Sequence, residues 1–170
     1  MTSVAVLGTG LLGTAIAKRL LDVGLEVHVW NRNPARRAPL LEQGATAVQE
    51  LQGAAQGRNA VITVLRDGGV TASVVDALGP LHGTTVLPMG TMGGEESRQL
   101  ARHVVPNNGH YLEAPVLGSK PQALDGTLLV MAGGDAQVFE EQRPLLSHLC
   151  QEPLLVGPVG SGAATKLALN

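Results

Sequence analysis

The opening of the chain constrains its fold more than any other stretch. A short run of β-forming residues, Ser3–Leu7, leads directly into Gly8-Thr9-Gly10-Leu11-Leu12-Gly13. The hydrophobic period then changes. Leu12, Ile16 and Leu20 fall on one helical stripe, and Gly24 follows as a natural stop after Asp22. In a strand–G-x-G-x-x-G–helix unit each glycine has its own duty. Gly8 permits the tight turn, Gly10 lets the backbone approach a pyrophosphate, and Gly13 lets the helix pack close on the strand. The unpaired N–H groups of the helix start, and the positive end of its dipole, face the phosphates. The bare pattern is a weak signal in a chain with 22 glycines. Its place between a strand and a helix makes it a dinucleotide-binding expectation, which includes Leu11 and Leu12 on the first helical turn.

Strand-like and helix-like runs alternate through the rest of the chain. Further strands are expected at 25–30, 60–65, 84–89, 111–114, 128–132 and 154–156. Helices are expected from Asn33-Pro34 and over 70–78, 95–104 and 136–149. This alternation predicts an α/β, Rossmann-type, doubly wound fold with a mainly parallel sheet. Residues 1–158 are expected to form the dinucleotide-binding domain. Residues 159–170 are expected to be the first two or three turns of a further helix, too short to be stable alone. The sequence looks cut where a second domain would begin.

The end of the second strand bears on the choice of dinucleotide. An acid there would bond a ribose 2′-hydroxyl and repel a 2′-phosphate. This chain has Asn31-Arg32, with Arg36 and Arg37 one turn on and no acid nearby. A guanidinium binds phosphate through paired hydrogen bonds, so NADPH is expected over NADH, held in part by Asn31, Arg32 and Arg36.

Composition removes several other functions. The net charge is −2 and the aromatics are only Trp30, Tyr111 and Phe139, which argues against nucleic acid as a partner. No apolar run approaches the roughly 20 residues of a membrane span. No basic segment precedes the first strand, so a cytoplasmic protein is expected. Cys150 is alone and reads as a small apolar filler. The five histidines show no metal-like spacing, and no metal site is expected.

Three later stretches complete a recognisable set: Gly90-Thr91-Met92; Leu112-Glu113-Ala114-Pro115-Val116-Leu117-Gly118-Ser119-Lys120 followed by Asp125-Gly126-Thr127-Leu128; and Gly160-Ser161-Gly162-Ala163-Ala164-Thr165-Lys166-Leu167-Ala168-Leu169-Asn170. With the N-terminal turn they resemble the β-hydroxyacid dehydrogenase family, which includes 3-hydroxyisobutyrate dehydrogenases. The Leu-Glu-Ala-Pro-Val and Gly-Ser-Lys pieces are most similar to its NADPH-dependent glyoxylate and succinic semialdehyde reductase branch.

The resemblance implies an oxidoreductase moving hydride between NADPH and a small carbonyl acid. It implies a catalytic role for Lys166 and, on the same helical face one turn later, Asn170. An ammonium there can stabilise negative charge on a reduced carbonyl oxygen and donate the proton. It implies that Thr91 lines the nicotinamide and substrate pocket, that Gly118 and Ser119 hold the substrate carboxylate, and that Leu65 and Arg66 belong to the loop covering the cofactor. Leu117 stands where that substrate turn usually has serine. The resemblance further implies a C-terminal all-helical domain, absent from this sequence, that closes the site and usually forms a homodimer. Two alternatives remain open: an imine reductase, although that group usually lacks the lysine, and a non-catalytic NADPH-binding module whose exposed Leu167 and Leu169 dock a partner.

Overall fold

The computed structural model describes residues 1–170. Nine strands form one sheet: β1 (Ser3–Leu7), β2 (Glu26–Trp30), β3 (Thr46–Ala47), β4 (Ala60–Thr63), β5 (Thr85–Pro88), β6 (His110–Glu113), β7 (Val116–Leu117), β8 (Leu129–Gly134) and β9 (Leu154–Gly157). Their order is β3-β2-β1-β4-β5-β6-β8-β7, with β9 beside β8. From β3 through β6 all pairs are parallel. The expected Rossmann-type sheet is therefore present, and it acquires antiparallel pairs only where β8 meets β6 and β7.

The central strands are apolar on both faces because helices cover both. β1 and β4 are buried along their whole length. One core layer lies beneath α1 (Leu11–Asp22), α5 (Lys120–Asp125) and α6 (Ala136–Leu146). The other lies beneath α3 (Gly68–Asp76) and α4 (Gly94–Val104). The chain winds from β1 to β2 on one side and returns to β4 on the other. A crevice opens at the carboxyl ends of β1 and β4, where ligands bind in sheets of this kind.

Several expectations change at their edges. The segment at 60–65 ends as a strand at Thr63, and residues 64 and 65 turn into the loop above the crevice. The helix expected to reach 149 stops at Leu146. The Ser147 hydroxyl donates to the Arg143 carbonyl at 2.7 Å, and Leu149 N–H bonds Leu146 in a tighter turn. The helix expected from Asn33-Pro34 opens as a 3-10 turn at Pro34–Arg37, capped by Asn33, and continues as α2 (Ala38–Glu42), while two short strands, β3 and β7, and the short helix α5 carry no periodic signal of their own. β7 exists because β8 runs on past β6. Ala114-Pro115 interrupts the strand, Pro115 having no N–H for the ladder, and Val116 and Leu117 then pair with Val130 and Leu129. The last helix, α7 (Ser161–Leu169), lies against β8, β9 and α4. No helix is long and apolar enough to cross a membrane.

Candidate dinucleotide cleft and active centre

The glycine turn has the geometry its spacing predicts, with one difference in cause. Gly8 sits at φ +106°, and a Cβ there would lie 2.2 Å from the Val64 carbonyl oxygen. At Gly10 a Cβ would meet nothing within 4 Å, so the face above it is open. No side chain caps α1, which leaves the N–H groups of its first turn available. At Gly13 a Cβ would come 1.9 Å from the Gly8 carbonyl oxygen but 3.4 Å from Val64 Cβ. Crowding against the turn itself, more than against a strand, is what demands glycine there.

Asn31 serves this turn from below. Its Oδ1 accepts the Thr9 N–H at 2.9 Å and its Nδ2 donates to the Asn33 carbonyl at 3.0 Å. The Thr9 hydroxyl donates to the Arg36 carbonyl at 3.2 Å. The Asn31 side chain, expected among the cofactor ligands, thus spends its hydrogen bonds on fixing the turn, while the residue still lines the cleft. Of the two leucines, Leu12 packs against the core and Leu11 is exposed on the first turn. Neither lines the cleft.

The cleft above the turn has a volume of about 620 Å³ and is lined by Gly8, Gly10, Arg32, Arg36, Leu65 and Arg66, among others. A neighbouring groove of about 520 Å³ shares Asn31, Arg32, Leu65 and Arg66 and continues between Trp30 and α3. The cations are not equivalent. Arg66 pairs with Asp67 at 3.0 Å. Arg32 and Arg36 pair with no carboxylate. Asp67 also caps α3, and the Val70 N–H, followed by Arg66, holds its carboxyl below the ordinary carboxylate value.

The loops after β1, β4 and β5 meet at this end. A Cβ on Gly90 would lie 2.7 Å from the Leu65 carbonyl oxygen, which puts exposed Thr91 beside the cofactor loop. A Cβ on Gly94 would lie 3.2 Å from the Gly160 carbonyl oxygen, so the start of α7 meets the start of α4 just beyond Thr91. Lys166 is half-buried and Asn170 exposed further along α7. Neither lines the dinucleotide cleft.

The turn expected to hold an anion is closed. Gly118 adopts φ +128°, but the Ser119 N–H and hydroxyl both donate to Gln122 Oε1 at 2.9 Å. Here Ser119 stands at the N-cap position of α5, and Gln122 takes the donors assigned to a substrate carboxylate. Sequence reasoning missed Gln122, although the Ser-x-x-Gln spacing of Ser119-Lys120-Pro121-Gln122 was the available signal for a helix start there.

It also missed Glu113. This carboxylate is 1% exposed. Its Oε1 accepts N–H bonds from Gly160 at 2.8 Å and Gly162 at 2.7 Å, with Ala163 further off at 3.4 Å. Its Oε2 accepts the Ser97 hydroxyl, whose oxygen lies 2.8 Å from Tyr111 Oη. Burial, and secondarily the charge of Glu113, push the Tyr111 phenol well above its ordinary value, against the effect of the Ser97 bond. A charged residue inside the apolar run Tyr111-Leu112-Glu113-Ala114 was the available signal.

Residues 3–157 match the model of the NAD binding domain of 6-phosphogluconate dehydrogenase. Over 172 residues the chain is 34% identical to glyoxylate/succinic semialdehyde reductase 1 of Arabidopsis thaliana, covering 98% of this chain and 60% of that protein. The chain belongs to the β-hydroxyacid dehydrogenase family. It is similar in structure to Mycobacterium tuberculosis 3-hydroxyisobutyrate dehydrogenase with L-serine, at a TM-score of 0.95 and 24% identity over 99% of this chain and 59% of that one. It is similar also to an imine reductase from Pseudomonas sp., at a TM-score of 0.93 and 28% identity over 99% of this chain and 60% of that one. The chain thus spans about 60% of the length of these relatives, and what it contains is the family's nicotinamide-dinucleotide domain. The open Gly10, the uncapped start of α1 and the positive φ of Gly8 fit such a ligand. No group of three or more His, Cys, Asp or Glu side chains could hold a metal ion.

Proposed function

We propose that the chain is the cofactor domain of an NADPH-dependent oxidoreductase that interconverts a small carbonyl acid, such as glyoxylate or succinic semialdehyde, and its hydroxy acid. The observation that carries the reading is the cleft itself. Arg32 and Arg36, free of carboxylate partners, border the same space as Gly8 and Gly10. Gly10 and the α1 start would take the pyrophosphate, and Arg32 and Arg36 a 2′-phosphate. Leu65 and Arg66 would cover the cofactor.

When bound, NADPH supplies hydride. The protein then has to manage the negative charge that builds on the carbonyl oxygen. The Lys166 ammonium stabilises that charge and gives the proton, while the Asn170 carboxamide holds the substrate by hydrogen bonding. Thr91 borders the reacting end. Gly118 and Ser119 receive the substrate carboxylate once Gln122 swings away. The name of the Arabidopsis relative supports the substrate class. Exposed Leu167 and Leu169 suit the expected dimer or a docked helical domain.

Calorimetric titration with NADPH and, separately, NADH tests the cofactor assignment. Tight NADPH and weak NADH binding is expected; equal affinity for the two would remove the role given to Arg32 and Arg36. The likeness to the Pseudomonas imine reductase favours a second reading. Reduction of a cyclic imine in preference to glyoxylate would support it.

A further inference from the structure

We propose that Glu113 is the positioning residue for Lys166: its buried carboxylate locks the first turn of α7 onto the sheet and so fixes where the ammonium and Asn170 stand relative to the loop of Thr91. The proposal rests on the acid–base reading of Lys166.

The start of α7 has no means of stabilising itself. The helix has nine residues, and no side chain of its own caps it. A helix so short does not hold itself together in water. Its first N–H groups face inward, where unpaired donors are costly. Glu113 arrives on β6, 47 residues before Gly160, and supplies the acceptor. Ser97, on α4, donates its hydroxyl to the other oxygen, and the Tyr111 hydroxyl shares a hydrogen bond with Ser97. One carboxylate therefore ties together β6, α4 and α7.

The seat for that carboxylate is made by glycines. A Cβ on Gly133 would lie 2.1 Å from Glu113 Oε1, and one on Gly162 would lie 2.3 Å from the Met131 carbonyl oxygen. Both can be close only because neither has a side chain. The far end of α7 is exposed, and neither the Lys166 nor the Asn170 side chain makes a hydrogen bond or ion pair there. The anchored helix start, together with the packing of α7 on β8, β9 and α4, consequently sets the position of Lys166. Ser97, Tyr111 and Glu113 lie outside the dinucleotide cleft, so the device is separable from cofactor binding.

The test compares the full chain with Glu113→Ala, Glu113→Gln and Lys166→Ala. NADPH affinity, kcat and KM for glyoxylate, and hydrogen exchange at the Gly162 and Ala163 amides are measured on each. In Glu113→Ala the two amides are expected to exchange at least ~10-fold faster, as for a lost helix cap. kcat should fall about 100-fold, the cost of an ångström-scale misplacement, while NADPH affinity stays within about twofold. Glu113→Gln should recover most of both losses, because its carboxamide oxygen can accept the same N–H groups and its nitrogen can donate to Ser97. Unchanged exchange in Glu113→Ala overturns the proposal whatever turnover does, and so does faster exchange with wild-type kcat. If Glu113→Ala loses NADPH binding through misfolding, Ser97→Ala replaces it, with the same two readouts and the same overturning results. Should Lys166→Ala retain turnover, the acid–base reading falls instead, and the exchange data still decide whether Glu113 holds α7.

Discussion

Two of the glycine-bordered helix starts on this sheet, those of α1 and α7, treat their N–H groups in opposite ways. At α1 no side chain caps the first turn, and the space over Gly10 is open. At α7 the N–H groups of Gly160 and Gly162 converge on a carboxylate that is 1% exposed. Both follow a strand, and both use glycines to bring backbone close to backbone. The difference lies in one residue. A carboxylate from β6 reaches α7 and makes its start a mechanical joint. No carboxylate reaches α1, and its start stays open to a ligand's anion. A helix N-terminus becomes an anion site only where the protein has not already filled it.

Several measurements would break or sharpen this contrast. The largest effect is expected from Lys166→Ala, which should lower turnover by roughly 1,000-fold yet leave NADPH affinity unchanged, since in the proposed mechanism the group acts on the reacting oxygen, and it borders no part of the cleft. Comparable loss of both would mean that the two helix starts are not separable.

Making α1 resemble α7 comes next. Gly10 has an extended backbone at φ −71° and room for a side chain, so Gly10→Asp should fold and cap the helix. Its carboxylate would then stand where the pyrophosphate belongs. NADPH affinity should fall by about 100-fold with no loss of melting temperature, read by calorimetry and thermal unfolding. Retained affinity would place the pyrophosphate elsewhere.

Arg32→Ala should weaken NADPH by about 10- to 100-fold and NADH by much less, the range of a lost charge-assisted hydrogen bond. Asn31→Ala removes the acceptor beneath Thr9 and should cost about 1 kcal/mol of stability in denaturant unfolding, with Asn31→Asp largely restoring it because an acceptor oxygen returns. The smallest effect concerns Asp67. Its folded pKa lies below the ordinary value, chiefly through the Val70 N–H. The stability it lends is fully present above the unfolded pKa of about 4 and is lost as pH falls through the lower folded value. Asp67→Asn should flatten that part of the acid-unfolding profile.

The N-terminal unit was legible because its determinants are contiguous. β1 and α1 fall where the change of hydrophobic period puts them, and Gly8, Gly10 and Gly13 act within six residues. In the C-terminal half the main strands and helices were legible from their hydrophobic runs, but the candidate site residues only as a resemblance. β7 depends on which strand runs beside it, and the buried carboxylate of Glu113 meets its partners only when α7 folds back beside β6. Arg66 and Arg32 look alike in sequence and differ in the structure because Asp67 pairs with one of them alone.

Taken alone, the sequence determined the alternating fold, the dinucleotide turn and the basic end of β2, because each rests on neighbours within a few residues whose periodicity or backbone freedom is local. Only the tertiary structure decided that Asn31 supports the turn and that Glu113 holds α7. Each of those is a hydrogen bond whose partner is chosen by folded proximity, across as many as 49 residues between Glu113 and Gly162. No spacing rule encodes a separation of that kind.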